Sequence, residues 1–70
     1  MTLANCKVGF KGLIKNLSDI EDNIYLLENG FTPGQEVEIL SVSPFGGPIG
    51  VQIRGTILAL RREEALCIQV

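Results

Sequence analysis

Two cysteines and a few carboxylates are the side chains that could do acid–base or metal chemistry, because the sequence contains no histidine. Cys6 and Cys67 lie near opposite ends and form no Cys-x-x-Cys pair, which excludes a zinc ribbon or a redox motif. Either the two thiols meet where terminal strands pair, or they are unpaired apolar fillers in a reducing compartment. A thiolate nucleophile needs a base or a positive neighbour that activates it. Cys67 lies in an alternating terminal strand and Cys6 near a frayed end, so we expect neither thiol to be activated.

Two clusters of acidic residues stand out in the sequence, and neither is suited to catalysis. The group within residues 19–22 is accounted for by the capping of a helix. Glu63 and Glu64 are adjacent on a predicted helical turn and point in different directions, which makes a poor acid–base pair. Glu63, Glu64 and Cys67 are the candidate metal ligands, with a solvated turn as the alternative. We expect no enzyme activity.

The glycine-rich segments do not form a nucleotide site. Gly46-Gly47-Pro48-Ile49-Gly50 is not followed by Gly-Lys-Ser or Gly-Lys-Thr, nor by a predicted helix start. A P-loop needs both features to hold phosphates. The sequence therefore predicts that the chain is not itself a nucleotide hydrolase.

Composition narrows the class of protein further. The net charge of −2 and the pI near 4.9 argue against nucleic-acid binding, which favours clustered positive charge. Hydrophobic residues make up 46% of the 70 residues, which indicates one packed domain over residues 1–70. The longest apolar runs span four residues, as in Ile57–Leu60, whereas a membrane helix needs roughly 20. No secretion signal is recognisable, so we expect no membrane insertion and a cytoplasmic location.

A helix is predicted in the first half of the chain. Ser18 and Glu21 fit a capping box, and Gly30 suits the left-handed position that ends a helix. The predicted helix has about 11 residues. Its expected apolar face is formed by Ile20, Ile24 and Leu27, with Phe31 one turn further along.

The other segments predict about five short strands. We expect them at residues 13–17, 36–42, 49–54, 56–60 and 66–70, with a bulge near Leu40. The residues expected to face inward are Val37, Ile39, Ile49, Val51, Ile53, Ile68 and Val70. A mainly β fold follows: a small barrel whose one helix, between the first and second strands, caps an open end.

Charge is segregated along the sequence. Residues 18–38 carry six acids and no base, whereas residues 39–62 carry Arg54, Arg61 and Arg62 and no acid. These three arginines are candidate contacts for an acidic partner surface, since such patches steer docking. The alternatives are ordinary solvated faces, or local pairing of Arg61 and Arg62 with the glutamates that follow them. Phe45, in a Pro/Gly loop, either anchors a partner or folds over an open barrel end.

Four segments together resemble the FeoA family of ferrous-iron transport proteins. They are LLENGFTPGQEV at 26–37, PFGGPI at 44–49, VQIRG at 51–55 and LALRREEA at 58–65. The resemblance implies an SH3-like barrel and a cytoplasmic accessory protein of ferrous-iron uptake. It also implies a partner, the permease FeoB, whose cytoplasmic part is a GTP-binding domain.

The resemblance leaves a second function open. A similar domain ends iron-dependent repressors, so the alternative is a metal-responsive sensor or carrier. The family is described as transition-metal binding, yet this sequence has no histidine and no cysteine pair. We therefore expect no intrinsic cofactor, with ferrous iron as the ion of the pathway. A second copy of the chain is a further candidate partner, because a small barrel leaves edge strands uncovered.

Overall fold

Six strands and two short α-helices make up the regular structure of the computed structural model, which describes residues 1–19, 21 and 24–70. The strands are β1 (Lys11–Leu13), β2 (Asn16–Leu17), β3 (Glu36–Val42), β4 (Ile49–Ile53), β5 (Thr56–Leu60) and β6 (Ile68–Gln69). The helices are α1 (Ile24–Glu28) and α2 (Arg62–Leu66), and 3-10 turns occur at Leu3–Asn5 and Pro44–Gly46. None of the described helices is long and apolar enough to span a membrane.

The larger sheet is antiparallel, with the strand order β1-β3-β4-β5. Alternation along β3 and β4 sends every second side chain into the core, as the sequence predicts. The confirmed inward residues are Val37, Ile39, Ile49, Val51 and Ile53. The register of β3 against β4 shifts between Ile39 and Ser41, which confirms the bulge expected at Leu40.

The smaller sheet pairs β2 with β6, and this pairing splits the predicted N-terminal strand in two. The amide of Ile14 donates to the carbonyl of Gln35 at 2.9 Å, whereas the amide of Lys15 donates to that of Gln69 at 2.7 Å. The chain thus passes from one sheet to the other between these two residues. The expectation of a single strand over residues 13–17 is wrong. The sequence predicts a barrel of about five strands. The described strands instead form two separate sheets, which their hydrogen bonds do not join into one closed barrel.

Helix α1 lies between β2 and β3 and is shorter than expected. The sequence predicts that the Glu21 carboxylate accepts a hydrogen bond from the Ser18 amide. In the structure the Ser18 amide instead donates to the carbonyl of Cys67 at 2.8 Å. Asp19 has a φ of 51°, which is incompatible with a helical first turn. The predicted helix also included Ile20 and Asp22, which lie outside the described residues.

The C-terminal end of α1 follows the prediction. The amide of Phe31 donates to the carbonyl of Leu26 at 3.0 Å, and that of Gly30 to Leu27 at 3.1 Å. With a φ of 95° at Gly30, these bonds form a Schellman motif. Leu26 and Phe31 are both fully buried, whereas Ile24 is exposed, so the predicted apolar face is wrong at Ile24. The five-residue helix is oriented by its terminal motif more than by a long apolar stripe.

Buried side chains from both sheets and both helices form one apolar cluster. Ile68 and Val70, which were expected to face inward, belong to it. The other members are Leu3, Ala4, Ile14, Leu17, Leu26, Phe31, Val37, Ile39, Ile49, Val51, Ile53, Leu60 and Ala65. This core fixes the ends of β3, β4 and β5, where the candidate functional residues lie.

Candidate docking surface

The turn between β3 and β4 presents Phe45 to solvent. The amide of Ser43 donates to the carbonyl of Pro48 at 3.1 Å, and that of Gly47 to Pro44 at 3.3 Å, which closes a tight loop. Phe45 has φ 58° and ψ 36°, and Gly46 has φ 75°, as in the two central residues of a type I′ turn. The Phe45 side chain is completely exposed, so it does not fold over an end of the sheets.

Phe45 stands in a conformation that its own chemistry disfavours. A residue with a Cβ in the left-handed region costs about 1 kcal/mol or more, and type I′ turns favour Asn, Asp or Gly there. Because the ring is fully exposed, burial within the chain does not offset this cost. A fully exposed aromatic side chain on a tight backbone turn is suited to insertion into a partner.

Arg61 and Arg62 lie beside the Phe45 turn because α2 begins there. The amide of Arg61 donates to Glu64 Oε1 at 2.8 Å, and Ala65 donates to the carbonyl of Arg61 at 3.0 Å, so the first turn of α2 is fixed. A Cβ built on Gly46 would lie 3.7 Å from Cδ of Arg62. The turn and the helix line a shallow depression of about 190 Å³, formed by Gly46, Gly47, Pro48, Arg61, Arg62 and Glu63.

Arg54 lies at the other end of β4. Arg54 and Gly55 have φ values of 51° and 77° and form the two-residue turn between Ile53 and Thr56. The Arg54 side chain crosses the end of α1, since a Cβ built on Gly30 would lie 2.7 Å from Arg54 Cδ. A strand rises about 3.4 Å per residue, so the five residues of β5 hold Arg54 roughly 14 Å or more from Arg61. Three of the four candidate residues, Phe45, Arg61 and Arg62, are therefore brought together, and Arg54 is not.

The three arginines are not neutralised within the described part of the chain. The ion pair recorded there joins Lys11 Nζ to Glu36 Oε1 at 3.8 Å, between two exposed side chains. Over residues 1–19, 21 and 24–70, no carboxylate lies within ion-pair distance of Arg54, Arg61 or Arg62. Local pairing of Arg61 and Arg62 with the following glutamates, the alternative from the sequence, is not observed. We call the Phe45 turn together with Arg61 and Arg62 the docking surface.

The candidate metal ligands do not converge. Glu64 uses a carboxylate oxygen to accept the Arg61 amide, and the Cys67 thiol donates to the carbonyl of Glu63 at 3.3 Å. No group of three or more Cys, Asp or Glu side chains able to hold a metal ion occurs among the described residues. A structural zinc site needs four ligands, and a catalytic site three plus water. Within the described residues, Glu63, Glu64 and Cys67 are therefore not brought together as a set of three ligands.

The two thiols are not joined to each other, which excludes the pairing of termini through a disulfide. Cys6 is half-buried, and its Sγ lies 3.5 Å from the carbonyl of Thr2, to which it donates. Burial raises the pKa of the Cys6 thiol, and the nearby positive charge of the chain's amino terminus only partly opposes this shift. Cys6 is thus held as a neutral thiol.

We expect Cys6 to react slowly with iodoacetamide. A raised pKa lowers the thiolate fraction at neutral pH, so alkylation of the folded chain should be slower than that of the urea-unfolded chain. The same shift stabilises the fold below the ordinary thiol pKa, and this contribution is lost as pH rises through the folded value. Mass spectrometry of Cys67→Ser follows Cys6 alone. Equal rates in the folded and unfolded chains would contradict the assignment.

Sequence reasoning did not single out Ile57 and Ala59 on β5. Both are exposed, and Ile57 retains 67% of its accessible surface. The signal was the apolar run Ile57–Leu60, which lacks the polar residues expected on a solvated strand face. Its meaning depends on the strand order, which places β5 at the edge of the sheet.

Comparison with solved structures defines the class of protein. FeoA from Stenotrophomonas maltophilia, described as a prokaryotic SH3 domain protein complexed with zinc, is 32% identical with a TM-score of 0.84, over 97% of this chain and 86% of that one. Iron(II) transport protein A from Clostridium thermocellum is 35% identical with a TM-score of 0.84, over 99% of this chain and 43% of that one. The fold is therefore a small, mainly β domain of the SH3-like class.

The family follows from the sequence match. The FeoA domain model matches residues 1–70, and the chain belongs to the FeoA family. Membership implies an accessory role in ferrous-iron transport. A manganese-dependent transcriptional repressor shares the fold at 23% identity and a TM-score of 0.85, over 97% of this chain and 39% of that one. No curated protein matches the sequence.

Proposed function

We propose that the chain assists ferrous-iron uptake in the cytoplasm by docking on the GTP-binding domain of a FeoB-type permease. The observation that supports this most strongly is Phe45, a completely exposed aromatic residue in a left-handed turn, beside two arginines without carboxylate partners. The described residues offer no metal cluster, and the sequence has no histidine to act as a base. The chain then acts through contact, by altering nucleotide turnover or the gating of the permease.

In this proposal Phe45 supplies most of the binding free energy, and the two arginines of the docking surface increase the association rate. Burial of a Phe side chain in a partner pocket contributes about 1.5–3 kcal/mol, which spans the value of about 2 kcal/mol that marks an interface hot spot. Because the turn already sets the backbone dihedrals of Phe45 and Gly46, little backbone entropy is lost on binding. Arg61 and Arg62 raise the association rate toward an acidic surface and fix the orientation of the ring.

Binding to the isolated GTP-binding domain of the permease from the same organism tests the proposal. The chain is immobilised and its binding measured by biolayer interferometry, with GDP and with a non-hydrolysable GTP analogue. We expect nucleotide-dependent binding that weakens between ionic strengths of about 0.01 M and about 1 M, where the Debye length falls from about 30 Å to about 3 Å. Absence of binding in both nucleotide states, with no change in GTP hydrolysis, would contradict the proposal.

Neutralising the two arginines should slow association. In Arg61→Gln/Arg62→Gln we expect the association rate at low ionic strength to fall about tenfold, because steering by the positive patch is lost. The dissociation rate should change less. The control is Lys7→Gln/Lys11→Gln, which also removes two positive charges, one on β1 and one just before it, with β1 at the opposite edge of the larger sheet from β5. An equal loss in Lys7→Gln/Lys11→Gln would show that net charge, and not the docking surface, sets the rate.

A metal-responsive role is the second candidate, favoured by the zinc complex of the 32% identical FeoA from S. maltophilia. Glu63, Glu64 and Cys67 form no ligand cluster in the part of the chain that the structure describes, so we expect no metal site built from them. Calorimetric titration with zinc, manganese and, under anaerobic conditions, ferrous ion should give no binding heat at micromolar concentrations. Stoichiometric binding that is lost in Glu63→Gln/Cys67→Ser would reverse this conclusion and favour the sensor or carrier.

A further inference from the structure

β5 forms one edge of the larger sheet, since its neighbour is β4 and the order ends there. The two-residue turn Arg54-Gly55 connects β4 to β5 and sets their register, with Ile53 opposite Thr56. In such a hairpin the closing pair is hydrogen-bonded, and hydrogen-bonded pairs alternate along the ladder. Thr56, Leu58 and Leu60 therefore bond to β4, whereas the amide and carbonyl groups of Ile57 and Ala59 point away from the sheet.

The outward groups of Ile57 and Ala59 are open to another chain. Neither residue has a backbone hydrogen bond outside the ladder within the described ranges, and both side chains are exposed. The usual protections of an edge strand are a lysine, a proline or an inward-pointing charge. None of these occurs within Thr56–Leu60. The edge offers an uncharged ladder five residues long.

Positive charge stands at both ends of this edge. Arg54 precedes β5 by two residues, and Arg61 and Arg62 follow it directly. No carboxylate of the described residues pairs with any of the three guanidinium groups. Several acids lie in the same depressions as these arginines without forming an ion pair with them. They are Glu28, Glu36 and Glu38 around Arg54, and Glu63 beside Arg61 and Arg62. Glu64 accepts a hydrogen bond from the backbone amide of Arg61 and does not pair with a guanidinium group.

We propose that β5 receives an extended segment of a partner protein as an added strand, apolar in its middle and carrying a carboxylate at each end. The segment bonds the free backbone groups of Ile57 and Ala59, and its carboxylates meet Arg54 at one end and Arg61 at the other. The proposal rests on the proposed function in taking the partner to be a protein, and it extends the docking surface along β5 to Arg54.

Charge favours this occupant over a second copy. An antiparallel pairing of two β5 strands places the Arg54 end of one copy beside the Arg61 and Arg62 end of the other. Three unpaired guanidinium groups per copy then converge at the two ends of the joint. Like charges in juxtaposition are unfavourable in a cross-strand arrangement.

Two synthetic peptides test the proposal without the permease. The first is acetyl-Asp-Val-Thr-Val-Thr-Val-Asp-amide, and the second has lysine in place of both aspartates. Each is titrated into the ¹⁵N-labelled chain, and amide shifts and hydrogen exchange are followed by NMR. We expect the aspartate peptide to slow exchange at Ile57 and Ala59, and to bind about tenfold more tightly than the lysine peptide at low ionic strength.

Ala59→Pro provides the matched variant. The substitution removes an amide that points away from β4, so the ladder to β4 is kept, and proline is tolerated on such an edge. Peptide binding should be lost in Ala59→Pro and retained in Ala59→Val, which keeps the amide. If Ala59→Pro does not fold, the exchange measurement on the unmodified chain still decides the result.

Three results would overturn the proposal. The first is unchanged exchange at Ile57 and Ala59 with both peptides, and the second is equal binding of the two peptides. The third is protection of these amides that rises with protein concentration in the absence of peptide, since the occupant is then a second copy. None of these results involves the permease domain. Failure of strand addition is thus distinguishable from failure of docking on the permease.

Discussion

Replacement of Phe45 with asparagine is expected to weaken docking on the permease domain roughly thirtyfold while stabilising the fold. The binding loss corresponds to about 2 kcal/mol, the value that marks an interface hot spot. The gain in the free energy of unfolding is about 1 kcal/mol, because asparagine followed by Gly46 suits a type I′ turn. The two effects have opposite signs, which separates a binding role from a structural one.

Urea unfolding and biolayer interferometry on the same preparations measure the two quantities for Phe45→Asn. Phe45→Tyr is the control, since it keeps an aromatic ring at the same strained position and should leave both values close to those of the unmodified chain. Unchanged affinity in Phe45→Asn would remove Phe45 from the docking surface. A loss of stability in that variant would show that the ring supports the fold.

Replacement of Phe31 with alanine is expected to unfold most of the protein. Phe31 is fully buried in the core cluster, and its amide also closes the Schellman motif at the end of α1. Truncation of a buried Phe to Ala costs about 3–5 kcal/mol. A domain of this size has a stability of roughly 3–5 kcal/mol, so little margin remains.

Circular dichroism with thermal unfolding measures this effect, and Phe45→Ala is the matched control. The same atoms are removed in both variants, from a buried site in one and from a completely exposed site in the other. Phe45→Ala should keep the native spectrum and a similar midpoint. A cooperative transition in Phe31→Ala within a few degrees of the unmodified chain would contradict the assigned core.

Patterns that depend on neighbouring residues in the chain were predictable from the sequence. Alternation located the inward faces of β3 and β4, and the break in that alternation located the bulge before Ser41. Gly30 was placed correctly at the end of α1, because few other residues adopt its positive φ. These features are fixed by local backbone preference and by the burial of every second residue.

Features set by distant parts of the chain were not predictable. The amide of Ser18 is taken by the carbonyl of Cys67, which lies 49 positions away, and this bond displaces the expected capping box. The split of the N-terminal strand likewise depends on two different partners, Gln35 and Gln69. Alternation within residues 13–17 carries no information about either.

The residues of the docking surface could be chosen from the sequence, but their arrangement in space could not. Phe45, Arg61 and Arg62 could be chosen from loop composition and charge, yet their adjacency arises only because α2 packs beside the turn of residues 43–48. The role of β5 needed the strand order, since an apolar run of this length is also typical of a central strand. Arg54 lies at the far end of that edge, and only the proposed strand addition along β5 relates it to Arg61.

Residue-level mapping of the complex is the most direct test of the proposed docking. The ¹⁵N-labelled chain is titrated with the GTP-binding domain of the permease, loaded with the non-hydrolysable GTP analogue, and amide shifts are recorded. Docking through Phe45 predicts that the largest changes fall on residues 44–48 and 61–62, with smaller changes along β5. Changes confined to β1 and the N-terminal residues, or no changes at saturating concentration, would contradict it.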